Sequence, residues 1–437
     1  MRTKKRIIIL IGINFLIFVH ASMIHAGEKK PLTLSQCIDT ALKQSSSLIS
    51  SGLDVAASQE SIKGAKGALF PRVDLNAGYT RENRPIPFIP AQNPRIQPSF
   101  SDEIYFWNLF LRMSIYEGGR LSGQIKISEI EKEIQSSRKE FTTQDVIANI
   151  TNAFNKVLQL KEFRVANLKS VETLERQEKN TNLFVEAGRA AKVELLRVEV
   201  QLASERQNFI RTEETINRAR YALAYFMGVD MKEVPDVEGR LSAEEQLISQ
   251  NIDELLKSRP DIVAASRRVG QSKARVDVAS GRRYPSISLF GNYGHKAGTE
   301  FDQRYEVWEA GVLASINIFD AGIISSEIRR EKISHQKAQE ELKLATLKAR
   351  LEIDNALSSF REAENKLLVA KKAMEQSEET LRIEELKYKA GAGTITDVLL
   401  AQSAMSLAQA NYYQALYDYS TAITEFKRAT GTIGVKR

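Results

Sequence analysis

The segment ITNAFNKVLQL at residues 150–160 returns as IDNALSSFREA at residues 353–363, with isoleucine, asparagine and alanine in the same places. A separation of 203 positions aligns these segments, and it holds without a gap over 119–228 and 322–431. Chance rarely produces such a match, so the chain is predicted to be a duplicated unit.

Each copy contains one very long helical pattern, at 120–186 and at 323–389. Both segments lack proline, and at 67 residues each would form a helix about 100 Å long. Their apolar residues recur every three or four positions in a narrow stripe, which is typical of coiled coils. A glycine turn ends each segment and a second helical pattern follows, so each copy is predicted to close as a helical hairpin. The turns lie at Gly188 and Gly391, and the second helices cover 192–228 and 395–430.

Four segments alternate between apolar and polar residues, as β-strands with one apolar face do. Each has about ten residues, the length of a strand that crosses a membrane. Their aromatic residues lie at the end of each strand pair that its connecting loop joins. This placement predicts an aromatic belt at the membrane interface. The strands are predicted at 72–81, 105–116, 286–295 and 306–319, the loop of the first pair is the proline-rich stretch 81–102, and the belt residues are Tyr79, Tyr105, Trp107, Tyr293 and Trp308.

The alternation also fits a soluble sheet that is packed on one face. In a membrane, four strands cannot close a barrel, because an open edge in lipid leaves backbone groups without hydrogen bonds. The barrel must then be shared between chains. Two chains give eight strands around a filled interior, three give twelve around an aqueous lumen, and the residue pattern leaves this choice open.

The first 26 residues are predicted to be a secretory signal peptide. Four basic residues precede an apolar run at 7–19, and small-residue cleavage sites follow at Ala21 and Ala26. The alternative, a membrane anchor, requires about 20 apolar residues, more than this run contains. Without residues 1–26 the formal net charge falls from +7 to +3, which gives no indication of nucleic-acid binding.

The sequence therefore divides into a signal peptide at 1–26, a first copy at 27–228, a linker at 229–251 and a second copy at 252–437. It contains no GxxxxGK[ST] loop, no HExxH pattern and no GxSxG elbow. Its single cysteine excludes paired metal-binding motifs. We expect neither an enzyme nor a protein with a cofactor or metal.

Three motifs give the chain a family resemblance. Tyr116-Glu117-Gly118-Gly119-Arg120 and Phe319-Asp320-Ala321-Gly322 mark the passages from strand to long helix, and residues 388–399 form the second glycine turn. With the duplication, they make the chain resemble the TolC family of outer-membrane efflux proteins. The resemblance implies a mainly α fold with a membrane β-barrel: a homotrimer with one twelve-stranded barrel in the lipid of the Gram-negative outer membrane and a helical coiled-coil tunnel through the periplasm.

The resemblance also implies two partners, a periplasmic adaptor protein and an inner-membrane transporter that supplies the energy. In this family the hairpin tips form the periplasmic entrance, which is closed at rest and opens through the adaptor. Carried over by motif, the tip residues are Gly188, Gly391, Gly393 and Thr394, and the acidic residues near the constriction are Glu194 and Asp397.

This sequence departs from some relatives at two tip positions. They have arginine where Gly393 stands and a second acidic residue where Leu400 stands. Asp397 can form a ring of three carboxylates in a trimer and bind cations. It can equally serve only as the acidic residue that helix N-termini favour, and both readings stay open.

The predicted function is a passive exit duct of a tripartite efflux or type I secretion system, gated at the hairpin tips. The alternative is an exported soluble coiled-coil interaction protein, such as an adaptor or an adhesin stalk. The sequence does not identify the cargo, and it does not distinguish drug efflux from protein secretion.

Overall fold

The computed structural model describes residues 31–89, 98–231, 236–241, 251–299 and 304–434. The predicted signal peptide at 1–26 lies outside these described residues. Within them, no helix is both long and apolar enough to cross a membrane.

The described helices and strands follow one another in two similar series. The first series contains α1 (Leu34–Gln44), α2 (Ser46–Gly67), β1 (Arg72–Ile89), β2 (Ser99–Glu117), α3 (Arg120–Glu186) and α4 (Lys192–Met227). The second contains α5 (Ile252–Ser258), α6 (Pro260–Gly281), β3 (Ser286–Ala297), β4 (Arg304–Ser315), α7 (Ile323–Lys389) and α8 (Ile395–Ala429).

The helices form one layer whose order changes along its length. Next to the sheet, α3 packs against α2 and α6, and α6 packs against α7. Farther from the sheet, α3 packs against α4 and α8, and α7 packs against α8. The long helices therefore connect both regions. The copies bury equivalent positions, since Ile150 and Ile353 are both fully buried.

The four strands form one antiparallel sheet in the order β1-β2-β3-β4. The first hairpin is longer than its alternation predicts, because β1 continues to Ile89 through Pro85 and Pro87. Register shifts accompany this stretch, and β1 is an edge strand, where proline is tolerated. The strand β4 ends at Ser315, which pairs with Ser286, the first residue of β3. Pro285 precedes β3, so within the chain residues 316–319 have no strand to pair with.

Candidate functional site

The sheet has one apolar face. Residues that face each other across an antiparallel pair lie on the same face, so the register assigns every side chain of the sheet. The apolar face is open to solvent in the single chain, where Leu75 is 69% exposed and Trp308 is 73% exposed. The apolar and aromatic residues of this face are Val73, Leu75, Ala77, Tyr79, Tyr105, Trp107, Leu109, Leu111, Met113, Leu289, Tyr293, Trp308, Ala310 and Val312. At the loop end of the strands the same face carries Arg81, Glu103, His295, Arg304 and Glu306.

All five predicted belt aromatics lie on this apolar face. The rings of Tyr79 and Tyr105 are 4.9 Å apart, and those of Trp107 and Tyr293 are 6.0 Å apart. Tyr293 is also the register partner of Trp308. The five residues run diagonally across the sheet, and strand tilt in a barrel brings such a diagonal to one height.

The opposite face of the sheet is polar. Asn108 donates a hydrogen bond to Asn292 across β2 and β3, with 2.7 Å between Nδ2 and Oδ1. Arg72 and Asp74 form an ion pair of 2.9 Å on the same face. An apolar and a polar face are what separate lipid from an aqueous lumen. The charged residues that the register places on the polar face are Arg72, Asp74, Arg112, Glu117, Lys296 and Glu309.

The two hairpin tips turn at glycine and contact each other at the far end from the sheet. Gly188 has a φ of 68° and Gly391 a φ of 75°, which glycine adopts without steric cost. Val198 of the first hairpin is fully buried against Ile395 and Val398 of the second. Phe184 and Tyr388 extend this contact, with their ring centroids 6.3 Å apart.

A polar contact that the sequence does not reveal also joins the tips. The Nη1 of Arg197 in α4 donates a hydrogen bond of 2.8 Å to the Oγ1 of Thr396 in α8. Arg197 occupies an ordinary helix-surface position in the sequence, so only the packing of α4 beside α8 identifies its partner.

Burial raises the pKa of Tyr388, and the carboxylate of Glu194 contributes to this increase.

Asp397 and Thr394 form a capping box at the start of α8. The carboxylate Oδ2 of Asp397 accepts hydrogen bonds from the hydroxyl of Thr394 at 2.7 Å and from its backbone N–H at 3.2 Å. The Thr394 oxygen in turn accepts from the backbone N–H of Asp397. The Thr394 hydroxyl holds the pKa of this carboxyl below its usual range. Asp397 is solvent-exposed, so its charge remains available at the tip.

The remaining tip residues are placed as follows. Glu194 lies partly buried in the first turn of α4, whose N-cap, Ala191, has no capping side chain. A Cβ built on Gly393 lies 3.0 Å from Cβ of Lys387, so a larger residue at this position requires Lys387 to shift by a few tenths of an ångström.

A series of polar contacts lies between α3 and α8, where the two copies meet. Gln402 donates to the hydroxyl of Ser170 at 3.2 Å, and both side chains are buried. Farther along, Gln159 donates to Gln414 at 3.1 Å. Because these bonds depend on which helices become neighbours, the sequence alone did not indicate them.

Comparisons with known proteins agree with this geometry. A family model described as outer membrane efflux protein matches residues 37–229 and 251–432. Nodulation protein T of Rhizobium leguminosarum bv. trifolii is 27% identical over 182 residues, which is 41% of this chain and 39% of that protein. The chain thus spans about two fifths of that relative. Outer membrane protein TolC of Vibrio cholerae serotype O1 is 22% identical over 424 residues, 92% of this chain and 91% of that protein.

Solved structures share the fold. The outer membrane channel CmeC of Campylobacter jejuni superimposes with a TM-score of 0.78 at 19% identity, covering 91% of this chain and 85% of that chain.

Proposed function

Because the chain belongs to the outer membrane efflux protein family, we propose that three copies form one exit duct, closed at rest by the hairpin tips. The chain is an outer-membrane efflux protein, as its family and relatives are. The observation that carries the proposal is the four-stranded sheet with one apolar and one polar face. Its edge strands β1 and β4 suit pairing with further copies.

Three copies account for the polar face better than two. Eight strands enclose an interior that side chains fill, whereas twelve leave room for water. The polar face carries Arg112, Lys296 and Glu309, and charged groups without water or partners are costly to bury. Twelve strands keep these groups hydrated.

The duplication also gives a register for the pairing between copies. Within the chain, Met113 lies opposite Leu289 where β2 meets β3. Leu75 faces Leu109 in the first hairpin as Leu289 faces Val312 in the second, so the copies align by 214 positions between β1 and β3 and by 203 between β2 and β4. The equivalents of Met113 and Leu289 are therefore Ile316 and Leu75. We therefore place Ile316 of one chain opposite Leu75 of the next. This pairing extends β4 through residues 316–319, where Phe319 is 87% exposed in the single chain.

The gate is proposed to open when the two hairpins of each chain separate. In the closed form they are joined by the cluster of Val198, Ile395 and Val398 and by the bond from Arg197 to Thr396. The energy for opening comes from outside the chain, and we assign it to a periplasmic adaptor acting with an inner-membrane transporter. Asp397 adds three carboxylates to the entrance of a trimer.

Relatives of this chain differ in the cargo that their names describe. One is a pyoverdine export outer membrane protein and another is a cobalt-zinc-cadmium resistance protein. Among the residues described here, no group of three or more metal-ligating side chains is suited to hold a metal ion. We therefore propose that the duct itself is passive and that the transporter selects the cargo.

The experiment that tests this proposal measures oligomeric mass and single-channel conductance of the protein extracted in detergent. A trimer that conducts weakly in a planar bilayer is expected. A monomer that stays soluble without detergent and does not conduct contradicts the duct. That result favours the coiled-coil interaction protein.

A further inference from the structure

Three phenylalanines lie on the polar face of the sheet, where polar side chains are otherwise expected. They are Phe106 and Phe110 of β2 and Phe290 of β3, and each is partly exposed. Phe106 lies directly opposite Gly78, and Phe290 directly opposite Gly311. A Cβ built on Gly78 comes within 2.6 Å of the Phe106 ring, and one built on Gly311 within 2.8 Å of the Phe290 ring. The rings therefore extend across the neighbouring strand, over glycines that leave room for them.

On the strand opposite the glycine, Phe106 and Phe290 each have a cation as register partner. Lys296 is the register partner of Phe106, and Arg112 is the register partner of Phe290. The order glycine, phenylalanine, cation thus occurs twice on the same face. It runs from β1 to β3 for Phe106 and from β4 to β2 for Phe290.

The third ring, Phe110, also has a cation nearby. The guanidinium carbon of Arg112 lies 5.2 Å from the centroid of the Phe110 ring. Two acids lie in the register row of Phe110. Asp74 faces it directly and is paired with Arg72 at 2.9 Å, and Glu309 lies two strands away, opposite Asn292. The charged residues directly beside the three rings on β2 and β3 are therefore the cations Arg112 and Lys296.

We propose that Phe106, Phe110, Phe290, Arg112 and Lys296 form a site on the duct wall for anions that carry an aromatic ring. The proposal rests on the proposed function, because the polar face lines a water-filled lumen only in a closed ring of three chains. In that trimer the site repeats three times around the lumen. The phenyl rings provide stacking partners, and the two cations attract the anionic group.

Weak binding is what a conducting pathway requires, because cargo must leave the site as readily as it enters. The competing explanation is that the rings only cover the glycines and stiffen the sheet. That explanation gives no preference for aromatic over aliphatic anions, and it makes no use of Arg112 or Lys296. The two accounts therefore differ in a measurable property.

The test measures binding of 2-naphthalenesulfonate to the trimer in lipid nanodiscs by saturation-transfer NMR. Camphorsulfonate serves as an aliphatic anion of similar size, and phenyltrimethylammonium as an aromatic cation. We expect the naphthalene anion to bind at least about fivefold more tightly than either, the scale of one stacking or cation–π contact. Equal binding of all three probes overturns the proposal.

Variants assign the binding to these residues. The triple variant Phe106→Leu, Phe110→Leu, Phe290→Leu keeps apolar side chains of similar volume and is expected to bind the naphthalene anion about fivefold more weakly. Arg112→Gln is expected to weaken binding of the naphthalene anion but not binding of the aromatic cation. Phe70→Leu, at an exposed phenylalanine outside the strands, is the control.

The outcomes separate this inference from the proposed function. Native mass of each variant in nanodiscs shows whether the trimer persists. A wild-type protein that forms no trimer contradicts the duct. A trimeric triple variant that binds the naphthalene anion like the wild type contradicts only the aromatic site. Loss of the trimer in the triple variant leaves Arg112→Gln as the deciding measurement.

Discussion

At the scale of single residues, Arg259 shows how a buried charge is stabilised in this molecule. It is 2% exposed, and its guanidinium donates to the carboxylates of Asp261 and Glu352 and to backbone oxygens of Ala349 and Ala429. These partners lie on α6, α7 and α8. The arginine, which lies between α5 and α6, therefore joins three helices of the second copy.

Replacing Arg259 with methionine is expected to destabilise the fold by about 3–5 kcal/mol, because it leaves two half-buried carboxylates and two buried backbone oxygens without their cation. Arg350→Met is the matched control, since Arg350 pairs with Asp253 at 2.8 Å while 52% of its side chain is exposed. Its loss is expected to cost about 1 kcal/mol or less. Thermal melting of the helical circular-dichroism signal measures both. Equal melting temperatures for the two variants contradict the assigned role of Arg259.

A substitution at Asp397 distinguishes the two hypotheses about its carboxylate, a cation-binding ring at the entrance or a helix cap alone. Asparagine keeps an acceptor for the capping box but removes the carboxylate. If three carboxylates bind cations at the entrance, Asp397→Asn is expected to weaken block by hexaamminecobalt(III) about tenfold or more, whereas the helix cap persists. Unchanged block in a conducting Asp397→Asn channel means that the residue serves the helix alone.

The pH dependence of this block has a definite sign. Because the pKa of Asp397 is lowered by its bonds to Thr394, the carboxylate stays ionised throughout the neutral range. Block is therefore expected to be constant from neutral pH downward and to disappear only below about pH 4, as the pH falls through the lowered pKa. The capping contribution to stability disappears in the same window. Conductance titrations of the wild type and Asp397→Asn compare the two.

At the scale of elements, the sequence predicts those features that depend on residues close together in the chain. A helix ends where glycine takes a positive φ, and a strand alternates where one face is apolar, so α3, α7 and the four strands leave clear patterns. The extension of the first hairpin to Ile89 and the bond from Arg197 to Thr396 leave none. The extension runs through two prolines, which are typical of loops, and the bond depends on a partner 199 positions away in the sequence.

The passage from strand to long helix contains a position where the two copies differ. Gly118 precedes α3 with a φ of 63°, and its duplicate Ala321 precedes α7 with a φ of 53°. An alanine in this left-handed conformation is strained by about 1 kcal/mol or more. We expect Ala321→Gly to raise the melting temperature of the trimer, as measured by its heat resistance in detergent.

The reverse change is expected to be more harmful. In Gly118→Ala the new Cβ clashes with the backbone oxygen of Gly281, and this clash adds to the strain. Gly119 is the control, because its φ is 78° but no atom lies within 4 Å of an added Cβ. Gly119→Ala is therefore expected to show strain alone. A melting temperature for Gly118→Ala equal to that for Gly119→Ala contradicts this account of the junction.

At the scale of the whole molecule, the duplication predicts how chains meet. A Leu75→Cys, Ile316→Cys variant is expected to form covalent trimers on mild oxidation, because paired strand positions bring Cβ atoms within disulfide range. In the control Leu75→Cys, Val312→Cys the second cysteine is four residues away, about 13 Å along the strand. Burial raises the pKa of the native Cys37 to about 11, which keeps that thiol unreactive. Equal crosslinking of both variants contradicts the proposed register.

The gate provides a prediction that depends on three-fold symmetry. The bond from Arg197 to Thr396 is exposed, so each copy contributes only about 0.5 kcal/mol to the closed form. Three copies that open together lose about 1.5 kcal/mol in Arg197→Ala, which multiplies the open population about tenfold. Single-channel recording is expected to show this as a higher open probability.

Two further variants test whether the bond itself is responsible. Arg382→Ala removes an equal charge from α7, but Arg382 pairs with Glu379 of the same helix and joins no hairpins. It is expected to behave like the wild type. Thr396→Ala is expected to open the channel as Arg197→Ala does, and the double variant no further, because both changes remove one interaction. If Arg382→Ala opens the channel equally, charge at the tip and not the bond between hairpins controls the entrance.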